Sequence, residues 1–208
     1  MREDRSWHRL SFAALEALYG QTNPMSIAKE TPVLTPAYRA WIEAAPFFAL
    51  ASIGPGGLDC SPRGDAPGQF FAIEDESTLL VPDRRGNNRL DTLKNIVADP
   101  RIALLFLVPG IPECVRINGR GTVTADPALL ARFAVNGKEP ATVLRVHIDA
   151  VYYQCARALI RSRLWDPAAQ EAASDLPTAG QLVRSAVADF DAESYDAALR
   201  PRQMGSLY

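Results

Sequence analysis

Apolar and polar positions change period several times along the chain, and each change marks an element. Trp7, Leu10, Ala14 and Leu18 recur at helical spacing and predict an amphipathic helix over residues 6–19. The three prolines between Thr22 and Pro36 predict an irregular crossing. Thr35 and Pro36 then stand as N-cap and first residue of a second helix through Ala44, with Tyr38, Trp41 and Ile42 as core contacts. Phe47 to Ile53 is continuously apolar, as in a strand buried on both faces or inside a barrel. Gly54-Pro55-Gly56-Gly57 turns it into a partner strand from Leu58 to Arg63. Further β segments follow at Phe70 to Ile73 and Ser77 to Val81. A helix comes next, with Leu90, Leu93, Ile96 and Val97 on one face, Asn87 or Asn88 as N-cap, and Asp99-Pro100 as its stop.

Ile102 to Val108 is the most apolar stretch and is predicted as the central strand, turned back by Pro109 to Pro112. Val115, Ile117, Gly121 and Val123 alternate with Arg116, Asn118, Arg120 and Thr122, the pattern of a half-buried strand. Gly119 and Gly121 leave two readings open: a bulge in a bent barrel strand, or the close approach of a planar ligand. Asp126-Pro127 opens a short helix, and Val143 to Tyr153 is the last long strand. A turn or short helix covers Cys155 to Trp165, and two helical patterns follow at 178–189 and 191–199. Five or six strands with helices mainly at the ends predict a mainly β fold, a closed antiparallel barrel with flanking helices. Strict βαβ alternation is absent, which disfavours a doubly wound sheet.

Composition narrows the function more than the fold. At 208 residues, 48% apolar and 22% charged, the chain is one domain with appendages, or at most two small ones, able to bury a sizeable core. A net charge of −2 argues against a protein whose main partner is nucleic acid. No apolar run approaches the roughly 18 residues of a membrane span, and the start Met1-Arg2-Glu3-Asp4-Arg5, which carries acids and leads into an amphipathic segment, does not read as a signal peptide. Cys60, Cys114 and Cys155, odd in number and far apart, fit a reducing cytoplasm. His8 and His147 are the two histidines, and there is no Cys-x-x-Cys, so ligands for a structural zinc or thioether haem are lacking. His147 falls on the polar face of a strand beside Arg145 and Asp149, as a solvated or hydrogen-bonded residue rather than a member of a hydrolytic triad.

The candidate chemistry gathers at Val81-Pro82-Asp83-Arg84-Arg85-Gly86-Asn87-Asn88-Arg89. Three arginines crowd a predicted helix N-terminus, where unpaired N–H groups and the helix dipole favour an anion, and guanidinium groups fork onto phosphate oxygens. Ser61 and Arg63, on the preceding hairpin, add a hydroxyl and a fourth arginine. The alternative is a solvated turn in which Asp83 and Asp91 neutralise two of the arginines. There is no P-loop and no Gly-x-Gly-x-x-Gly following a strand.

These stretches together resemble a known family. Ala51-Ser52-Ile53, Ser61 to Asp65, Leu79 to Arg89, Asn95-Ile96, Val115 to Gly119 and Ala158 to Trp165 are similar to the pyridoxamine 5′-phosphate oxidase-like FMN-binding split-barrel proteins. Within them, the nearest likeness is to the group described as FMN-dependent enzymes of unassigned substrate, from about Pro46 to Pro167. The resemblance implies a six-stranded antiparallel split β-barrel over 46–167, with helical extensions at 1–45 and 168–208. It also implies a homodimer with FMN at the subunit interface. Carried over by position, Arg84, Asn87 and Arg89 fall in the phosphate-binding segment. Ser61, Pro62 and Arg63 lie along the ribityl chain and ring, and Arg161, Ser162 and Trp165 near the flavin from the C-terminal motif. Arg63 or Arg161, near the pyrimidine edge, would favour a reduced ring. No catalytic acid or base and no metal is implied. Two departures stand out: Gln154-Cys155-Ala156-Arg157 replaces a His-Cys-x-Lys of relatives, and Leu199 to Gly205 has no counterpart of the Arg-x-His segment of true pyridoxamine phosphate oxidases. The resemblance therefore implies an FMN-dependent oxidoreductase of unknown substrate rather than vitamin B6 oxidation itself. A non-catalytic flavin-binding or storage protein, and a haem- or deazaflavin-binding relative, stand as alternatives.

Overall fold

The computed structural model describes residues 9–66, 68–171 and 175–207. Two compact units divide the chain, Met1–Glu30 and Thr31–Tyr208. In the first unit, α1 (Phe12–Tyr19) starts where the Ser11 hydroxyl accepts from the Ala14 N–H, and ends at Gly20, whose φ of 71° suits a residue without Cβ. Trp7 and the start of the 6–19 helix lie outside the described residues. A second, short helix α2 (Pro24–Ala28) is capped by Asn23 with Pro24 in its first turn.

The second unit opens with α3 (Pro36–Glu43), where the Thr35 hydroxyl accepts from the Tyr38 N–H. Ile42 is fully buried, and Tyr38 and Trp41 pack against the same core. Seven strands then form one antiparallel sheet: β1 (Phe47–Gly54), β2 (Gly57–Gly64), β3 (Ala72–Asp75), β4 (Thr78–Asp83), β5 (Arg101–Leu107), β6 (Cys114–Thr124) and β7 (Thr142–Gln154). Their order is β2-β1-β5-β6-β7-β4-β3. This corrects the six-stranded closed barrel. The four residues of β3 form a strand of their own on β4, and β2 and β3 remain edges with no ladder between them among the described residues. The middle place belongs to β6 rather than β5, whose side chains alternate between buried and partly exposed.

Leu80, Phe133 and Val143 form a second, smaller cluster, and the main core lies on one face of the sheet. Phe48, Leu50, Leu104, Phe106, Ile117, Val146 and Val151 fill it, with Phe48 stacked on Phe70 at 4.8 Å and against Phe106 at 4.8 Å. Each such side chain contributes roughly 1.5–3 kcal/mol on leaving water. Gly119 resolves the question its sequence position raised. The β6–β7 register shifts between Asn118 and Gly119, and a Cβ on Gly119 would meet the His147 carbonyl oxygen at 2.1 Å. The extra residue is Asp149 on β7, and Gly119 stands opposite that bulge, where the neighbouring strand comes too close for a Cβ.

Helix α4 (Asp91–Ala98) packs on β1, β2 and β6 and differs from the expected helix in start and in face. Neither Asn87 nor Asn88 caps it: the Asn87 side chain accepts from the Arg89 N–H within the preceding turn, and Leu90 occupies the cap position without a side-chain bond. Thr92, Asn95 and Ile96 are buried, whereas Leu90 and Val97 are exposed. The reason is the hairpin beneath. Gly54 leaves room for Asn95, whose amide donates to Ser52 Oγ (3.3 Å) and the Gly57 carbonyl (3.4 Å), so polar residues are the ones with partners inside.

The remaining helices are α5 (Pro127–Arg132), capped by Asp126, then α6 (Arg157–Ser162), α7 (Pro167–Glu171), α8 (Ala179–Ala186) and α9 (Ala192–Met204). A capping box of Thr178 and Gln181 starts α8, and Gly180 lets it close against Ala192 of α9. Cys60, Cys114 and Cys155 are free thiols, Cys114 buried. No helix among the described residues is long and apolar enough to cross a membrane.

Candidate functional site

A cavity of about 460 Å³ opens between the end of β2, the turn that leaves β4, the first turn of α4 and the segment before β7. Pro62, Arg63, Asp83, Arg84, Arg85, Asn87, Arg89, Thr92 and Glu139 all line it. Two stretches about twenty residues apart in sequence, Pro62–Gly64 and Asp83–Arg89, thus meet around one space, with Ser61 behind Arg63 rather than on the lining. They do so because β1 carries β2 toward α4, while β4 runs against β7 on the other side of the sheet.

The four arginines are held quite differently. Arg84 is largely covered, its side chain 18% exposed. Its Nε donates to Asp65 Oδ2 at 3.3 Å, one terminal nitrogen to the Phe133 carbonyl at 2.7 Å and the other to the Gln69 carbonyl at 3.2 Å. The fork therefore ties the β2–β3 loop, the end of α5 and the β4 exit into one wall. Arg63 donates through Nη1 to Ser61 Oγ and to the Pro62 carbonyl, both at 3.0 Å, and Nη2 lies 4.0 Å from Asp83 Oδ1. Arg89 is 79% exposed and pairs with Asp91, a solvated contact worth little. Arg85 lines the cavity and makes no hydrogen bond or ion pair among the described residues.

The solvated-turn alternative is thus realised in part, by Arg89 and Asp91. Asp83 faces Arg63 instead of an arginine of its own turn. Burial pushes the Asp83 carboxyl above its ordinary pKa, against the opposing pull of Arg63. Across the ladder from Asp83 stands Thr142, whose buried hydroxyl has no hydrogen-bond partner.

Ser61 is fixed by Arg63 and by Thr92, whose Oγ1 lies 2.9 Å away. Arg161, Ser162 and Trp165 are not brought to this cavity. They follow the far end of β7, whose thirteen residues extend about 40 Å at the usual rise per residue. Ser162 Oγ donates to the Leu159 carbonyl at 3.0 Å and Trp165 Nε1 to the Ile111 carbonyl at 2.8 Å, while Arg161 is exposed and makes no such bond among the described residues. His147 is exposed on β7, 3.9 Å from Asp149, which also takes Arg120. Sequence reasoning missed Thr92 and Glu139. Thr92 carried a signal, a hydroxyl one turn before Ile96 on the inward side of a helix, but Glu139 carried none.

Residues 34–155 match the sequence profile described as pyridoxamine 5′-phosphate oxidase, more than half of the chain, and the protein belongs to that family. Among solved structures, HupZ of Group A Streptococcus aligns with a TM-score of 0.47 at 14% identity, covering 57% of this chain and 91% of that one. The general stress protein 26 of Bacillus anthracis aligns with a TM-score of 0.41 at 16% identity over 55% of this chain and 88% of its own. An FAD-binding protein of Mycobacterium smegmatis aligns with a TM-score of 0.41 at 12% identity over 60% and 97%. No curated protein matches the chain.

The unequal roles of Arg84 and Arg85 are open to test by denaturant unfolding. Removing Arg84 strands a nearly covered carboxylate and two carbonyls, so Arg84→Ala is expected to cost about 2–4 kcal/mol. Arg85→Ala is expected to stay within about 0.5 kcal/mol of the parent. Equal losses in the two variants would contradict the assignment of Arg84 to the cavity wall.

Proposed function

We propose that the cavity receives flavin mononucleotide and that the protein is an FMN-dependent oxidoreductase working as a homodimer. The observation that carries this reading is the set of three arginines with donors to spare around one space: Arg63, Arg85 and Arg89. The residues present fit the ligand. The N-cap of α4 has no side-chain bond, so its first N–H groups are available to a phosphate beside Arg85 and Arg89. Asn87 stands in the same turn, and Arg84 fixes the wall behind it. Pro62, Phe70, Pro82, Leu90, Leu93 and Pro140 offer apolar lining for a planar ring, with Arg63 on the neighbouring strand. A volume of about 460 Å³ falls in the range of small-ligand sites. Membership of the pyridoxamine 5′-phosphate oxidase family supports the flavin.

When bound, the flavin supplies hydride or electron transfer, and the chain supplies binding, orientation and electrostatics. Arg63 places a positive charge where it favours electron-rich forms of the ligand. The homodimer rests on Arg161, Ser162 and Trp165, which lie beyond the far end of β7 and outside the cavity of their own chain. A second copy related by a two-fold axis would deliver them.

Two measurements test the reading. Titration with FMN is expected to saturate at about one flavin per chain. Arg85→Ala and Arg89→Ala should each weaken FMN roughly ten- to a hundredfold, since a charge-assisted bond is worth about 1.5–3 kcal/mol and each 1.4 kcal/mol is a factor of ten. Riboflavin, which lacks the phosphate, should bind these variants as it binds the parent. Equal FMN affinity in all three proteins would return both arginines to the solvent, and a stronger uptake of FAD would refute the mononucleotide. The oxidoreductase part is read under anaerobic conditions. NADH or NADPH is expected to bleach the bound flavin, and an unchanged oxidised spectrum with both donors would leave a flavin carrier.

A further inference from the structure

A chain of hydrogen bonds runs from the edge of the sheet into the cavity and ends on Arg63. Its members are Asp59, Thr92, Ser61 and Arg63, and the first and second appear in no part of the flavin motif. Thr92 donates its hydroxyl proton to Asp59 Oδ2. A carboxylate only accepts, so that proton is committed. The 2.9 Å contact between Thr92 Oγ1 and Ser61 Oγ then has one direction, with Ser61 as donor. Ser61 has given up its own proton and turns lone pairs toward Arg63, whose Nη1 donates to it at 3.0 Å. The second Nη1 hydrogen goes to the Pro62 carbonyl at 3.0 Å.

Both hydrogens of one guanidinium nitrogen are thereby anchored on neutral oxygens. What remains is the Nε–Nη2 edge, which makes no hydrogen bond among the described residues and has Asp83 at 4.0 Å from Nη2. That edge carries two parallel N–H groups in a rigid plane, the arrangement that takes a phosphate or a pair of acceptor oxygens bidentately. Anchoring by neutral acceptors keeps the guanidinium charge uncancelled on the anchored side, and an arginine ordered in advance loses less freedom when it binds. Thr92 is buried, 5% exposed, so the relay is shielded from water at its centre.

We infer that Thr92 and Asp59 are positioning residues for Arg63: they polarise Ser61 so that the Nε–Nη2 edge is presented to an acceptor group of the bound ligand. This rests on the flavin reading of the cavity. If Asp59 is removed, the Thr92 proton is free to turn onto Ser61, and the Ser61 proton then competes for the direction of Arg63. The relay loses its sense without losing a packed group.

The test is a double-mutant cycle read by FMN affinity, with thermal unfolding as the check on folding. Thr92→Val keeps the shape and removes the hydroxyl, and is expected to weaken FMN about tenfold. Thr92→Ser restores the hydroxyl and should return the affinity to within about twofold of the parent. Asp59→Ala, made at the outer end of the relay, should weaken FMN in the same sense. In the Arg63→Ala background Thr92→Val should cost nothing further, since the residue it serves is gone. Failure of the parent protein to take up FMN overturns the flavin reading and this inference with it. Uptake of FMN with equal affinity in the parent and Thr92→Val, or full additivity of Thr92→Val with Arg63→Ala, overturns the inference alone.

Discussion

The cavity depends on the fork of Arg84. A turn with one proline, one glycine, two asparagines and three arginines has little reason of its own to hold one shape. Here one guanidinium reaches the Asp65 carboxylate, the Gln69 carbonyl and the Phe133 carbonyl, from segments 19, 15 and 49 residues away. Three loops that share no ladder are joined at a single planar group. Because the acceptors and the cation are partly removed from water, each bond counts for more than an exposed pair, and losing the cation would leave buried acceptors unmet. The neighbouring arginines are then free to face the cavity without also having to build it.

That division of labour explains how an acidic chain keeps a positive site. The net charge is −2, yet the carboxylates near the cavity are mostly engaged elsewhere. Asp65 belongs to Arg84, Asp91 to the solvated side of Arg89, and Asp59 to Thr92. Asp83 is the acid that burial leaves reluctant to ionise. Arg63 is anchored by a hydroxyl and a carbonyl, so its charge is not spent on the anchoring. Electrostatics and packing therefore act together: the buried polar face of α4 both fastens the helix to the β1–β2 hairpin and orders the arginine at its foot.

Much of this was legible in the sequence where the cause is local. Thr35-Pro36 and Asp126-Pro127 start helices because a capping side chain and a fixed proline φ act within one turn. The Gly54–Gly57 turn set the hairpin, and Ser61, Arg63, Arg84 and Arg89 do converge on one region. What could not be read is decided by partners distant in sequence. Arg84 and Arg85 are adjacent and chemically identical, and only the positions of Gln69 and Phe133 make one a clamp and the other a free cation. The inward face of α4 was misread because Thr92 and Asn95 are paid for by hydrogen bonds to a hairpin thirty to forty residues earlier. The order of the strands and the open edges follow from sheet pairing that hydropathy alone does not encode.

The proposed function puts a flavin phosphate by Arg85 and Arg89 at the start of α4, with the C-terminal motif of a second copy completing the site. An electron-density map from crystals grown with FMN tests this most directly. The phosphate is expected within hydrogen-bond reach of both guanidinium groups, and Arg161 or Trp165 of a two-fold-related copy against the flavin. Density for FMN at another surface, or a full flavin site built by a single chain, would contradict it.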